Sequence, residues 1–339
     1  MKSSSMTPRK RFQLKNRMLL ANFIANLVGA VGVNSLLAPT RVYTTALAQE
    51  YARSIETIFI PTVFGIAMAA TLVYQRPIRR YVDRCCQAAV PPAVPPAAPP
   101  QAVQRRVLNE PFFGLLLDFT IWILAAVFWA GLFYFMDETP TVIQRAVISN
   151  LSIGLITCTV AFFVLEHILQ KVMIPFFFPA GQLYGVPRTI RISIRIRLAA
   201  LLFACNLVPF VTQIFVYVQI RSAGYDPATA LERLGTHLMI TSPIFIAVGL
   251  WLFFLVSSNL ARPLWAIIRA LQKVRAGNFD AKVQVTSNDE IGYTGDVINQ
   301  MTEGLKEHES LRLSMLLARE VQQNLLPTRP PRIKGLDLA

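Results

Sequence analysis

Six apolar stretches dominate this chain, each close to the roughly 20 residues that a helix needs to cross a bilayer. They are Met18–Leu37, Thr57–Gln75, Pro111–Phe135, Ala146–Leu165, Leu198–Ile220 and Leu238–Leu260. Five contain no formally charged residue, and the third contains only Asp118. Backbone buried in lipid must satisfy its own hydrogen bonds, so such stretches fold as helices. The expected fold class is therefore all-α, with a six-helix transmembrane bundle over residues 18–260. Composition agrees: 54% of residues are apolar and 15% charged, against about a quarter charged in soluble domains. That profile excludes a disordered chain, a fibrous chain and an ordinary soluble enzyme. The first stretch is too long for a signal-peptide core, and no A-x-A-like cleavage site follows closely, so it is expected to be retained. Four cysteines are too few for a disulfide scaffold.

Loop charges set the orientation. The basic tail 1–17 and the loops after the second and fourth stretches together hold seventeen Lys/Arg; the alternate loops hold five. Both termini are expected to be cytoplasmic, in a multi-pass protein of the plasma (inner) membrane. The net charge of +14 is thereby assigned to cytoplasmic loops facing a lipid bilayer, and no nucleic-acid partner is expected. The external loops are too short to hold a folded sensor domain.

Within the membrane, Asn26, Asn34, Asp118, Asn206 and Gln213 are costly in lipid and are expected to face other helices. Asp118 is also the candidate for an intramembrane ligand or ion site. Val90–Pro100, VPPAVPPAAPP, cannot form a regular helix or strand and reads as an extended cytoplasmic linker, taken over 87–104. FIANLV at Phe23–Val28 and FACNLV at Phe203–Val208 suggest an internal repeat relating helices one and two to helices five and six.

From Ala261 the composition becomes that of a soluble protein. Leu264, Ile267, Leu271 and Val274 are spaced 3, 4, 3, which is a coiled-coil stripe, with Pro263 at the junction to the membrane helix. Gly277 breaks that helix. Asn278–Val285 reads as extended. Ser287-x-x-Glu290 reads as a capping box that starts a second helix. The second stripe is Ile291, Thr294, Ile298, Met301 and Leu305. Two such helices cannot bury both stripes alone, so a parallel homodimer forming a four-helix bundle is expected.

This layout over 261–309 resembles the HAMP domain of membrane sensors. The Arg262-Pro263 pair, Gly277-Asn278-Phe279, Asp289-Glu290-Ile291-Gly292 and Asn299-x-Met301 resemble that family's motifs at matching spacing. Thr294 departs from the family's usual Leu. The resemblance implies a dimeric relay that passes a small movement of the membrane helix to an output domain. Its relay residues here would be Pro263, Leu264, Ile267, Leu271, Val274, Gly277, Glu290, Ile291, Thr294, Ile298, Met301 and Leu305. A Thr hydroxyl without a partner in an apolar layer would keep the bundle near its switching point; a hydrogen bond from that hydroxyl to its own backbone one turn back would weaken the effect.

Residues 310–339 read as a signalling helix and the start of an output domain. Arg319-Glu320-Val321-Gln322-Gln323 and Leu325-Leu326-Pro327, followed by Gly335-Leu336-Asp337-Leu338-Ala339, resemble the opening of PPM-type serine/threonine phosphatases of the sporulation and stress-regulator class. The carboxylates that hold two metal ions in that family would lie downstream. No catalytic residue, cofactor site or metal site is expected within the 339 residues, so no enzyme activity is expected either. The expected function is that of a signal transducer acting on a downstream output domain or signalling protein. The alternatives are the regulatory half of a class III nucleotide cyclase and, further off, a transporter. His308 lies on the outgoing helix, where a solvated face explains it better than phosphorylation.

The charge bias gives a direct test. Reporter fusions at Arg106 and Gly185 should read inside, and fusions at Asp137 and Tyr225 outside; a reversed reporter would mean a different helix count.

Overall fold

The computed structural model describes residues 8–37, 46–87, 99–179, 181, 183–222 and 224–325. Most of the Pro-rich linker and the Pro327–Ala339 tail lie outside them, as does the side chain of Asn34.

The architecture is all-α, with no strand among the described residues. Helices α1 (Pro8–Leu37) and α2 (Ala46–Gln87) precede the linker. Helix α3 (Gln101–Phe135) follows it, so residues 101–104 are already helical rather than linker. Helix α4 (Pro140–Ile168) continues through a π-helical turn, Leu169–Met173, into the short α5 (Ile174–Phe177). Helix α6 (Ile194–Leu202) passes through a second π-helical turn, Phe203–Leu207, into α7 (Val208–Ser222). Helix α8 (Pro227–Arg275) carries the sixth apolar stretch, and α9 (Glu290–Leu325) ends the described chain. Among the described residues, five helices are long and apolar enough to cross a membrane: Ser54–Cys85, Gln101–Phe135, Pro140–Phe177, Ile194–Arg221 and Pro227–Arg275. The first expected stretch lies within α1.

Two helices differ in extent from the sequence expectation. Helix α8 runs 49 residues without a break at Pro243 or Pro263. It carries the sixth apolar stretch and the Leu264–Val274 stripe as one continuous helix. Asp226 caps its start by accepting from Thr229 N at 3.1 Å, and hydrogen bonding from the Thr229 hydroxyl, with that from its backbone N–H, holds the carboxyl below its usual range. Helix α9 is likewise continuous past residue 309, where the module was expected to end and a signalling helix to begin. The two members of the suggested repeat also differ locally: FIANLV is regular α-helix, whereas FACNLV contains the π-helical turn.

Helix α4 is the hub, packing on α1, α3, α7 and α8, most extensively on α3. Where the helices reach the side assigned to the cytoplasm, one apolar core joins them. It contains Leu14 and Met18 of α1, Ile78 and Val82 of α2, Val107 of α3 and Leu165 of α4. It also contains Val285, which lies between α8 and α9. The connector between α8 and α9 is therefore packed into the end of the helix bundle.

Candidate signalling site

The module formed by the end of α8, the connector and α9 is built by local backbone chemistry. Gly277 ends α8 with φ of +85°, a left-handed conformation that suits a residue without Cβ. Asn278 Oδ1 then accepts from Asp280 N at 3.1 Å, turning the chain into the connector. Asn299 of α9 grips the connector at a single residue: Oδ1 accepts from Val283 N at 2.7 Å, and Nδ2 donates to Val283 O at 3.0 Å. This bidentate clamp fixes the connector's height along α9. Val283 joins Ile267, Ala270 and Ile291 in a small buried core, with Ile298 packed against it. At the outer edge, Lys306 pairs with Asp280 at 2.8 Å and Lys282 with Glu303 at 3.1 Å. The hydrogen bond and charge of Lys306 hold the Asp280 carboxyl below its usual range.

The stripes divide into two halves. Ile267 and Ile291 are buried within one chain, Pro263 is also buried, and Val274 is partly buried. Leu264, Leu271, Met301 and Leu305 remain 46%, 38%, 50% and 40% exposed. A single chain thus buries more than the spacing alone suggested, and what stays open is a narrower apolar seam.

Two expectations for α9 are corrected. Ser287 does not cap the helix in a reciprocal box with Glu290. Asp289 is the cap: its Oδ1 accepts from Ile291 N at 3.0 Å and Gly292 N at 3.1 Å, and Ser287 Oγ donates to the same oxygen at 2.7 Å. Glu290 is thereby freed to accept from Ile194 N, at the start of α6, at 3.2 Å. Gly292 is required here, because a Cβ would fall 1.8 Å from Ser287 O. The other correction concerns Thr294. Its hydroxyl donates to Glu290 O at 2.8 Å, one turn back, so it is not a partnerless group in an apolar layer.

Asp289 also belongs to a buried charge cluster. Arg197, at the start of the fifth apolar stretch, lies 2.7 Å from Glu166 of α4 and 2.8 Å from Asp289. All three side chains are at most 7% exposed. The cluster links the cytoplasmic end of α4, the entry to the fifth membrane helix and the first turn of α9. Neighbouring contacts reinforce it: His167 Nδ1 meets Asn259 Oδ1 at 2.7 Å, and Asn288 Nδ2 donates to Thr189 Oγ1 at 3.1 Å. Removing one partner of a buried ion pair costs far more than an exposed pair is worth, because the remaining charge stays desolvated. Sequence reasoning missed this cluster: Arg197 counted only as one of the seventeen cations of the tail and the loops after the second and fourth stretches, and Glu166 fell just past the end of the fourth stretch.

In the membrane part, Asp118 is buried, and Asn22 Nδ2 donates to its Oδ1 at 3.1 Å. Trp122 Nε1 donates to Asn26 Oδ1 at 3.1 Å, tying α3 to α1. Gln213 donates to Thr241 Oγ1 at 2.8 Å, linking α7 to α8. Asn206 departs from the expectation: it is exposed and donates to Leu202 O in its own helix. His308 lies on an exposed face of α9.

Arg197→Met should lower stability by about 3–5 kcal/mol, since it strands two buried carboxylates. Adding Glu166→Gln and Asp289→Asn should restore most of the loss. Thermal unfolding of the purified full chain checks both; a single variant as stable as wild type would show that the cluster does not hold the module.

Residues 255–307 match the family model of the HAMP domain. Sensor protein SrrB of Staphylococcus aureus strain NCTC 8325 / PS 47 is 24% identical over 124 residues, which is 37% of this chain and 20% of that protein. SrrB of strain COL matches to the same extent. The chain thus spans about a fifth of the length of these relatives. No solved structure gives a significant match. The chain carries a HAMP domain behind several apolar, membrane-length helices.

Proposed function

We propose that this protein is a plasma-membrane signal transducer whose membrane helices set the state of its HAMP domain, which in turn drives a C-terminal output. The observation that carries this reading is the Glu166–Arg197–Asp289 cluster. A HAMP module attached only through α8 could take its input only from that helix. Here the cap of α9 is also held by α4 and by the entry to the fifth membrane helix. Movement of α4 relative to α8 therefore acts on both helices of the module at once. A packed module held in this way can occupy discrete arrangements that a small membrane movement biases.

The working form is a parallel homodimer. Leu264, Leu271, Met301 and Leu305 form the open seam, and a second copy of the same seam covers it. Helix α9 carries the dimer onward through Leu313, Leu317 and Val321, which are also exposed. Both termini are cytoplasmic in this arrangement, and the relay residues are those named from the HAMP resemblance, with Asp289 and Arg197 added. The output is a serine/threonine phosphatase of the PPM type. That class rests on Arg319–Ala339 alone, and neither the HAMP match nor the sensor relatives support it.

Cysteine at Leu271 or Met301, introduced into the full chain in membranes, should give disulfide-linked dimers in high yield. Cysteine at Ile267, which faces its own chain's core, should cross-link less. Absence of cross-linking at all four seam positions would overturn the dimeric relay.

A further inference from the structure

We propose that the cavity between α1, α2, α3 and α4 binds a small cationic amine with an aromatic body, and that Asp118 is its counter-ion. The cavity has a volume of about 150 Å³. An apolar cavity of roughly that size is large enough to take up benzene. Its walls are mostly apolar and rich in rings, with Phe23 from α1, Phe64 from α2, and Trp122 and Trp129 from α3. Aromatic faces of this kind attract cations.

The polar end is unbalanced in one direction. Asp118 lines the cavity and is 2% exposed. Its Oδ1 has Asn22 as donor, but its Oδ2 has no partner, and neither has Asn22 Oδ1. The Trp122 indole donates to Asn26, and the Asn26 amide gives one N–H to Asn22 O. The two open atoms, Asp118 Oδ2 and Asn22 Oδ1, are both acceptors, so a ligand that completes them is a donor. Among the described residues Asp118 forms no ion pair, and Arg145, which also lines the cavity, donates to Gln219. A carboxylate inside a membrane is expensive without a partner and marks a ligand or ion pathway. An ammonium group supplies both the positive charge and up to three donors. A neutral alcohol supplies one donor and no charge.

The same cavity touches Ser149 and Asn150 of α4, the helix that carries Glu166 at its other end. Occupancy is thereby felt by the helix that holds the HAMP cap. The amine's role as the signal rests on the transducer reading; its binding does not.

The test uses the purified full-length chain in lipid nanodiscs, with tryptophan fluorescence as the readout because Trp122 and Trp129 line the cavity. Benzylamine is titrated against benzyl alcohol and toluene as neutral counterparts. Benzylamine should bind saturably and at least tenfold more tightly than either. Asp118→Asn should abolish that preference, and Ala67→Phe, which fills the cavity from α2, should abolish binding of all three. Equal affinity for amine and alcohol would overturn the proposal, as would a preference that survives Asp118→Asn or binding that survives Ala67→Phe. Saturable binding that leaves seam cross-linking unchanged would count against the transducer reading while the site itself stood.

Discussion

Arg197 sits between two carboxylates, and all three side chains are buried from bulk solvent. Its guanidinium is at most 6% exposed and lies within 3 Å of both Glu166 and Asp289. Taking one such charge out of water costs several kcal/mol, and only good pairing recovers it. The three groups therefore have to stay together or all be rehydrated. That makes the junction between membrane and cytoplasm an all-or-none contact. The rest of the cytoplasmic module is arranged around it: Asp289 is also the cap of α9, its neighbour Glu290 reaches α6, and Val285 enters the core formed by the ends of α1 to α4.

This arrangement divides the labour between two kinds of force. Charge and hydrogen bonding fix where the module sits, through Arg197 and through the grip of Asn299 on Val283. Apolar burial decides how much of it one chain can complete. Ile267, Ala270, Val283 and Ile291 close a core within the chain, while Leu264, Leu271, Met301 and Leu305 leave an exposed apolar seam. The proposed relay uses both features: a fixed input contact, and an interface completed by a second copy. The cavity around Asp118 lies in the same bundle and borders the helix that ends in Glu166.

Much of this was legible in the sequence because it depends on local pattern. Length and apolarity alone located the membrane helices, and the 3, 4, 3 stripes with Gly277 and Asp289-Glu290-Ile291-Gly292 located the module. What could not be read depends on distant partners. Arg197 looked like one more loop cation, since pattern says nothing about which acids lie opposite it. Ser287 and Asp289 are both good caps, and only the geometry of Ile291 and Gly292 decides for Asp289. Thr294 was expected in an apolar layer because its stripe was assumed to be buried throughout; the residue faces outward and bonds its own turn. Asn206 fails for a similar reason, because a helix backbone can satisfy an amide that no neighbouring helix reaches.

The central claim is that the buried cluster, and not the α8 rod alone, locks the HAMP domain to the membrane bundle. Electron paramagnetic resonance distances between spin labels at Lys171, beyond α4, and Tyr293, on the first turns of α9, address it directly; both positions are exposed. Labelled chains diluted with unlabelled ones in nanodiscs should give a single narrow distance in the wild type. Arg197→Met should broaden it into a wide distribution. An equally narrow distribution in the variant would contradict the account and return the entire coupling to α8.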